Sequence, residues 1–176
     1  MPISFNHYGA GLNNGSVKLS DGNIYDIDAV VTAEGDPQVD DDQVSGDDEL
    51  KASFYYNRRE EMTITANGLS FDVIQAITGN TVSSSAGGLE VALGTDSENN
   101  PPFVEIKAET TAKDSLGANV TLIKTWHKVQ IQSCKVTQSQ GSEFSVEMTG
   151  VAYQTDEDIV GAALSSKRVA TIEADY

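Results

Sequence analysis

The stretch from Glu34 to Glu49 concentrates potential chemistry, with eight carboxylates (Glu34, Asp36, Asp40, Asp41, Asp42, Asp47, Asp48, Glu49) and no basic residue. Such a density of hard oxygen ligands is what calcium uses, in sets of about six to eight. The EF-hand order fails, however. Counting from Asp40, the third place is Asp42, but the fifth is Val44 and the sixth, where the turn needs glycine, is Ser45. A looser calcium site, a solvated loop and a loop ordered against a neighbouring subunit are the readings that remain. Carboxylates also work in pairs, and Asp72 with Glu60 or Glu61 would be the pair for glycoside hydrolysis. Any acidic chain offers such pairs, so this one carries no weight without perturbed burial.

Nucleophilic and metal chemistry find fewer parts. His7 and His127 are the two histidines, and neither stands at a metal-ligand or triad spacing. No Gly-x-Ser-x-Gly elbow is present, and Gly87-Gly88 stands alone without a phosphate-binding loop around it. His127, between Trp126 and Lys128, reads as structural or surface. Cys134 is the one cysteine, so no intrachain disulfide can form, and its alternating surroundings make it a small half-buried strand residue. The expectation is a non-enzymatic chain with no catalytic residue, no cofactor and no metal.

The charge narrows the partners. Twenty-seven Asp and Glu oppose eleven Lys and Arg, giving a formal net charge of −16. Wrapped nucleic acid needs clustered Lys and Arg against phosphate, and this balance is the opposite. An acidic wall suits DNA that must pass without sticking. At 176 residues the chain fits one domain with enough core to fold without staples. The start, Met1-Pro2-Ile3-Ser4-Phe5, has neither a basic region nor a long apolar run, so the expectation is a chain without signal or membrane span, folded in a reducing cytoplasm.

The elements that would position these groups are mostly strands. Val17 to Leu19 and Ile24 to Val31 flank Ser20-Asp21-Gly22-Asn23, a hairpin turn signal. Residues 34–49, with Gly35, Pro37, Ser45 and Gly46, read as a long loop. Strands follow at Leu50 to Asn57 and around Met62, Ile64 and Ala66. One short helix starts at Ser70 and stops at Gly79-Asn80. Leu89, Val91 and Leu93, then Phe103 to Ala108, resume the alternation, and Asp114 to Gly117 marks a turn.

The longest periodic run, Asn119 to Thr137, switches its apolar parity near Trp126 to Val129. In a strand of period two this implies a bulge, a bend or burial on both sides, and the length of the run suits a strand that crosses from one sheet to another or projects beyond the domain. Ser142 to Tyr153 is its antiparallel partner across 138–141. Residues 156–176 form a terminal arm that closes with Arg168 to Ile172, one more strand. The economical fold is mainly β, a β-sandwich or barrel with one short α-helix.

The segment from Asn57-Arg58-Arg59-Glu60-Glu61-Met62-Thr63-Ile64-Thr65-Ala66-Asn67-Gly68-Leu69 to Phe71-Asp72-Val73-Ile74-Gln75-Ala76-Ile77-Thr78-Gly79-Asn80 resembles the major tail tube proteins of long-tailed phages. Gly150-Val151-Ala152-Tyr153 is similar to the same group. The resemblance covers most of the chain in the order of its features, through diffuse motifs. It implies a β-sandwich subunit that forms six-fold rings stacked into a tail tube, a virion protein made in the host cytoplasm. It implies tail terminator, tape-measure and baseplate or tip proteins as partners, no membrane, and genomic DNA passing through the lumen without specific binding.

The long loop and terminal arms would reach neighbouring subunits, with Asp36, Asp40, Asp41, Asp42, Asp47 and Asp48 as contact candidates and Arg58 and Arg59 as basic partners. The same subunit could serve as the inner tube of a contractile tail or injection apparatus. From other classes, the alternatives are a β-sandwich carbohydrate- or calcium-binding module and a hydrolase on a β scaffold. Clustered aromatics would favour the binding module, and aromatics make up 7% of the chain, with Tyr55-Tyr56 and Trp126 scattered.

Overall fold

A computed structural model describes residues 12–46, 49–80, 82–85, 88–91, 101–113, 117–137 and 144–175. The fold is mainly β and antiparallel, with one short helix. Strands β1 (Leu12–Leu19) and β2 (Ile24–Asp28) form the expected hairpin, in which Asp21 accepts from the Asn23 backbone N–H and Gly22 takes φ 89°. That left-handed φ is one glycine adopts without strain.

Strands β3 (Val30–Gly46) and β4 (Glu49–Asn67) run antiparallel from Val30↔Ala66 to Gly46↔Glu49. The stretch expected as a long acidic loop is therefore the distal part of a strand. Asp and Glu are poor strand formers and hid its alternation, while Phe54, Tyr55 and Tyr56 at the paired positions of β4 are strand formers. Pro37 fits because β3 is an edge strand, where a missing N–H need break no ladder bond. Likewise the two short strands expected between Leu50 and Ala66 are one continuous β4.

Helix α1 (Phe71–Thr78) has the expected ends. The Ser70 hydroxyl accepts from the Val73 N–H at 3.2 Å, and Gly79 closes it at φ 72° with its N–H on the Gln75 carbonyl. Val73 and Ile77 enter the core, which holds so short a helix in place. A small hairpin of β5 (Val82–Ser85) and β6 (Gly88–Val91) follows, then β7 (Phe103–Lys113). Strands β8 (Asn119–Thr137) and β9 (Ser145–Tyr153) pair as expected. Beyond them lie β10 (Thr155–Glu157), β11 (Ala163–Arg168) and β12 (Ala170–Asp175).

The main sheet has the order β2-β1-β7-β8-β9-β4-β3, with β12 also on β8. Its end strands β2 and β3 are separated in the chain by Ala29 alone, which sits at φ 53° and accepts from the Asn67 N–H at 3.0 Å. The sheet therefore curls until its ends meet at that corner. The core inside draws on both ends, with Val17 and Ile27 packed in the same cluster as Val30, Met62, Ile64 and Trp126.

Strand β8 stays within this one sheet rather than crossing to another, and its pairings with β7 and β9 carry register shifts. Its first half pairs β7 and β12, its second half pairs β9, and Thr125, Trp126 and His127 are buried in succession where the partners change. This is the parity switch read from the sequence. The segment expected as a C-terminal arm places β12 against β8 of the same chain, and Val169 breaks the closing strand into β11 and β12. Leu93, His7, Asp47, Asp48, the expected turn residues 114–116 and 138–141, and the loop residues 96–100 lie outside the described residues.

Candidate functional site

Three polar constellations stand out on this frame. The first lies at the root of the β3–β4 hairpin, in a cleft of about 450 Å³ lined by Pro37, Gln38, Val39, Arg58, Arg59, Glu60 and Val169. Arg58 and Arg59 also line a neighbouring depression of about 390 Å³ with Tyr153 and Gln154. Both arginines thus border recesses of ligand size. Arg59 is partly engaged, since its Nη1 donates to both carboxylate oxygens of Asp40 at 3.2 and 3.0 Å. Arg58 is exposed.

Of the acidic contact candidates, Asp40 is therefore tied to its own chain across the hairpin, in a pair more than a third exposed on each side. Asp36 is exposed and accepts from the Gln38 amide at 2.9 Å. Asp41 and Asp42 lie in β3 opposite Tyr55 and Phe54. The structure thus brings Arg59 to Asp40 and Arg58 to the same cleft, and leaves Asp36 pointing into solvent.

The second constellation was not singled out in the sequence. Glu60 is 7% exposed, and its Oε1 accepts from Lys124 Nζ at 2.5 Å and from Trp126 Nε1 at 3.1 Å. The ammonium also stands 4.5 Å from the Trp126 ring centre. A buried carboxylate needs such partners. Gly35 makes room for it, because a Cβ there would stand 1.7 Å from Glu60 Oε1. A glycine inside a strand marks such a close approach, and Gly35 was the sequence signal for it. Asp72, the imagined partner of Glu60 or Glu61, is in the first turn of α1 and exposed, while the buried Glu60 carboxylate accepts from Lys124 and Trp126.

The third constellation joins β7, β8 and β12. Glu105 and His127 are 5% and 7% exposed, and Glu105 Oε2 lies 3.7 Å from His127 Nδ1. His127 Nε2 is 3.0 Å from Thr171 Oγ1, while Nδ1 has no hydrogen-bond partner. Carboxylate, imidazole and hydroxyl stand in the order of a catalytic triad, but 3.7 Å is too long for the hydrogen bond that fixes the imidazole. Burial holds the imidazole below its ordinary 6.5, Glu105 pulls the other way, and Arg168 adds to the effect of burial. The arrangement suits a neutral, structural histidine better than a general base. His127, read from the sequence as structural or surface, is buried, beside a carboxylate the sequence did not reveal.

Among the described residues, no group of three or more His, Cys, Asp and Glu could hold a metal ion. Also among them, no helix is long and apolar enough to cross a membrane. Cys134 is half-buried against the core, and that burial raises its thiol above the ordinary 9.0, which makes it a poor nucleophile. No protein-family model matches this chain, and no curated protein matches it.

Proposed function

We propose that this chain is a self-assembling structural subunit of the phage tail tube type, whose six-fold rings stack into a channel for genome delivery. The observation that carries the reading is the β3–β4 hairpin. Arg59–Asn67 of β4 is flanked by β3 on one side and β9 on the other, whereas among the described residues positions 49–56 pair with β3 alone. Strand β3 in turn has β4 as its one partner among the described residues. Among the described residues the two outer edges of this ribbon have no strand partner, and neighbouring copies would complete such edges by closing a ring. Exposed Val31 and Val39 on β3 add apolar surface to that edge.

The acidic balance supports the second half of the reading, since a like-charged wall lets a duplex slide past. Tail terminator, tape-measure and baseplate or tip proteins are the partners this role entails, in the virion. The cleft at Arg58 and Arg59 is the basic surface at which an acidic segment of a neighbour would dock.

Negative-stain electron microscopy with light scattering at high protein concentration tests the proposal. Rings or hollow tubes of constant width are expected from the full chain. Replacing residues 42–54 by an Asn-Gly turn, which joins the paired Asp41 and Tyr55, should keep a folded monomer and abolish assembly. A full chain that stays monomeric at every concentration, or a shortened hairpin that assembles as well, would overturn it.

A further inference from the structure

The buried Glu105–His127 pair plays no part in that assembly reading, and it lies where β12 joins the body. We propose that His127 is a proton-controlled latch for the C-terminal strand, so that uptake of one proton by its imidazole favours release of residues 169–175 from β8.

His127 holds this strand twice. Its backbone N–H donates to the Val169 carbonyl at 3.3 Å, and its Nε2 meets Thr171 Oγ1 at 3.0 Å. Beyond these contacts the strand is held by its ladder with β8 and by little buried apolar surface. Among the described residues β12 pairs with β8 alone, over Ala170↔Trp126 to Asp175↔Thr121. Val169 and Ala170 touch the core, but Ile172 is 68% exposed. A short edge strand with so few buried apolar contacts belongs to the low-stability end of a fold.

Closed, the strand helps to shut the imidazole away from water with Nδ1 unpartnered, 3.7 Å from a buried carboxylate. The groups that face it are Glu105 from β7, Arg168 from β11 and Glu173 from β12. Lys107, 3.8 Å from Glu105, offsets part of that carboxylate's charge. Desolvation outweighs the two carboxylates, so the closed state disfavours the proton. An opened strand returns the ring to water and to its ordinary affinity. The open state therefore binds the proton more tightly, and acid shifts the strand toward it. The closed strand has its full stability above pH 6.5 and loses it as the pH falls from there toward the lowered value of the closed state. Each unit between the two values multiplies the opening equilibrium about tenfold.

Amide hydrogen exchange of the full chain, corrected for intrinsic rates, tests the latch at pH 7.5 and 5.0. Protection across residues 170–175 should fall several-fold at pH 5.0 relative to β9, and His127→Gln should remove that difference. Equal protection of β12 at both pH values in the wild type, or an unchanged pH response in H127Q, would overturn it. Should H127Q fail to fold, an NMR titration of the wild-type imidazole still decides, because just one other histidine, His7, has to be told apart. A midpoint below 6.5 is expected, and one at or above 6.5 rules the latch out.

Discussion

Gly35 and Gly150 show how a single methyl group is felt in this fold. At Gly35 the added Cβ would meet the Glu60 carboxylate, whose displacement breaks its bonds to Lys124 and Trp126. Gly35→Ala should cost about 1–3 kcal/mol by chemical denaturation, the range for leaving buried polar groups unsatisfied. At Gly150 the same Cβ would stand 2.7 Å from the Gln130 carbonyl oxygen, which is backbone and cannot swing aside. Gly150→Ala should therefore destabilise at least as much. Asp40→Asn removes an exposed ion pair and should change stability by less than about 1 kcal/mol in the same assay. Cys134, half-buried and with its thiol pushed up by burial, should react with a disulfide reagent at pH 7.5 at least about tenfold more slowly than a free cysteine. None of these differences follows from composition. Glu60 and Glu61 are neighbours of one type, yet one faces Trp126 and the other solvent, a division set by strand parity together with what stands across the core.

Among elements, α1 was the most legible. Its cap, stripe and stop are local, and the structure reproduces all three. Ser70→Ala should cost about 1 kcal/mol, read as a shift in the denaturation midpoint with unchanged slope, because the Val73 N–H loses its acceptor. The parity switch in β8 was legible for the same reason, since two faces can be read from alternation alone. The β3 ribbon was not. Asp and Glu are poor strand formers, so residues 34–46 look like a loop until β4 is laid beside them. Their extended state is a property of the pair.

At the scale of the molecule, a net charge of −16 makes copies repel one another, and any assembly has to overcome that. On the tail tube reading, assembly should be faster at 1 M than at 0.1 M salt, because the screening length falls from about 10 Å to about 3 Å. Light scattering against time would show it, and a rate that drops with salt would point instead to attraction between charged patches such as Arg58 and Asp36. The curl of the sheet is a second whole-molecule feature. Its ends meet at Ala29, held at φ 53° between β2 and β3. A β-branched residue is a poor fit to that conformation, so Ala29→Val should destabilise by about 1–3 kcal/mol in thermal or chemical unfolding.

The sequence by itself determined the mainly β class, the single helix with its ends, the first hairpin, the β8–β9 pairing and the parity switch in β8. These depend on periodicities and capping residues that act over a few positions. Tertiary structure alone decided that the acidic stretch is a strand, that β2 and β3 close a corner at Ala29, and that β12 returns to β8. It also decided that Glu60, Glu105 and His127 are buried with partners 40 or more positions away or on other strands. Each of those outcomes is a pairing between distant segments, and the free energy of such a pairing belongs to neither segment alone.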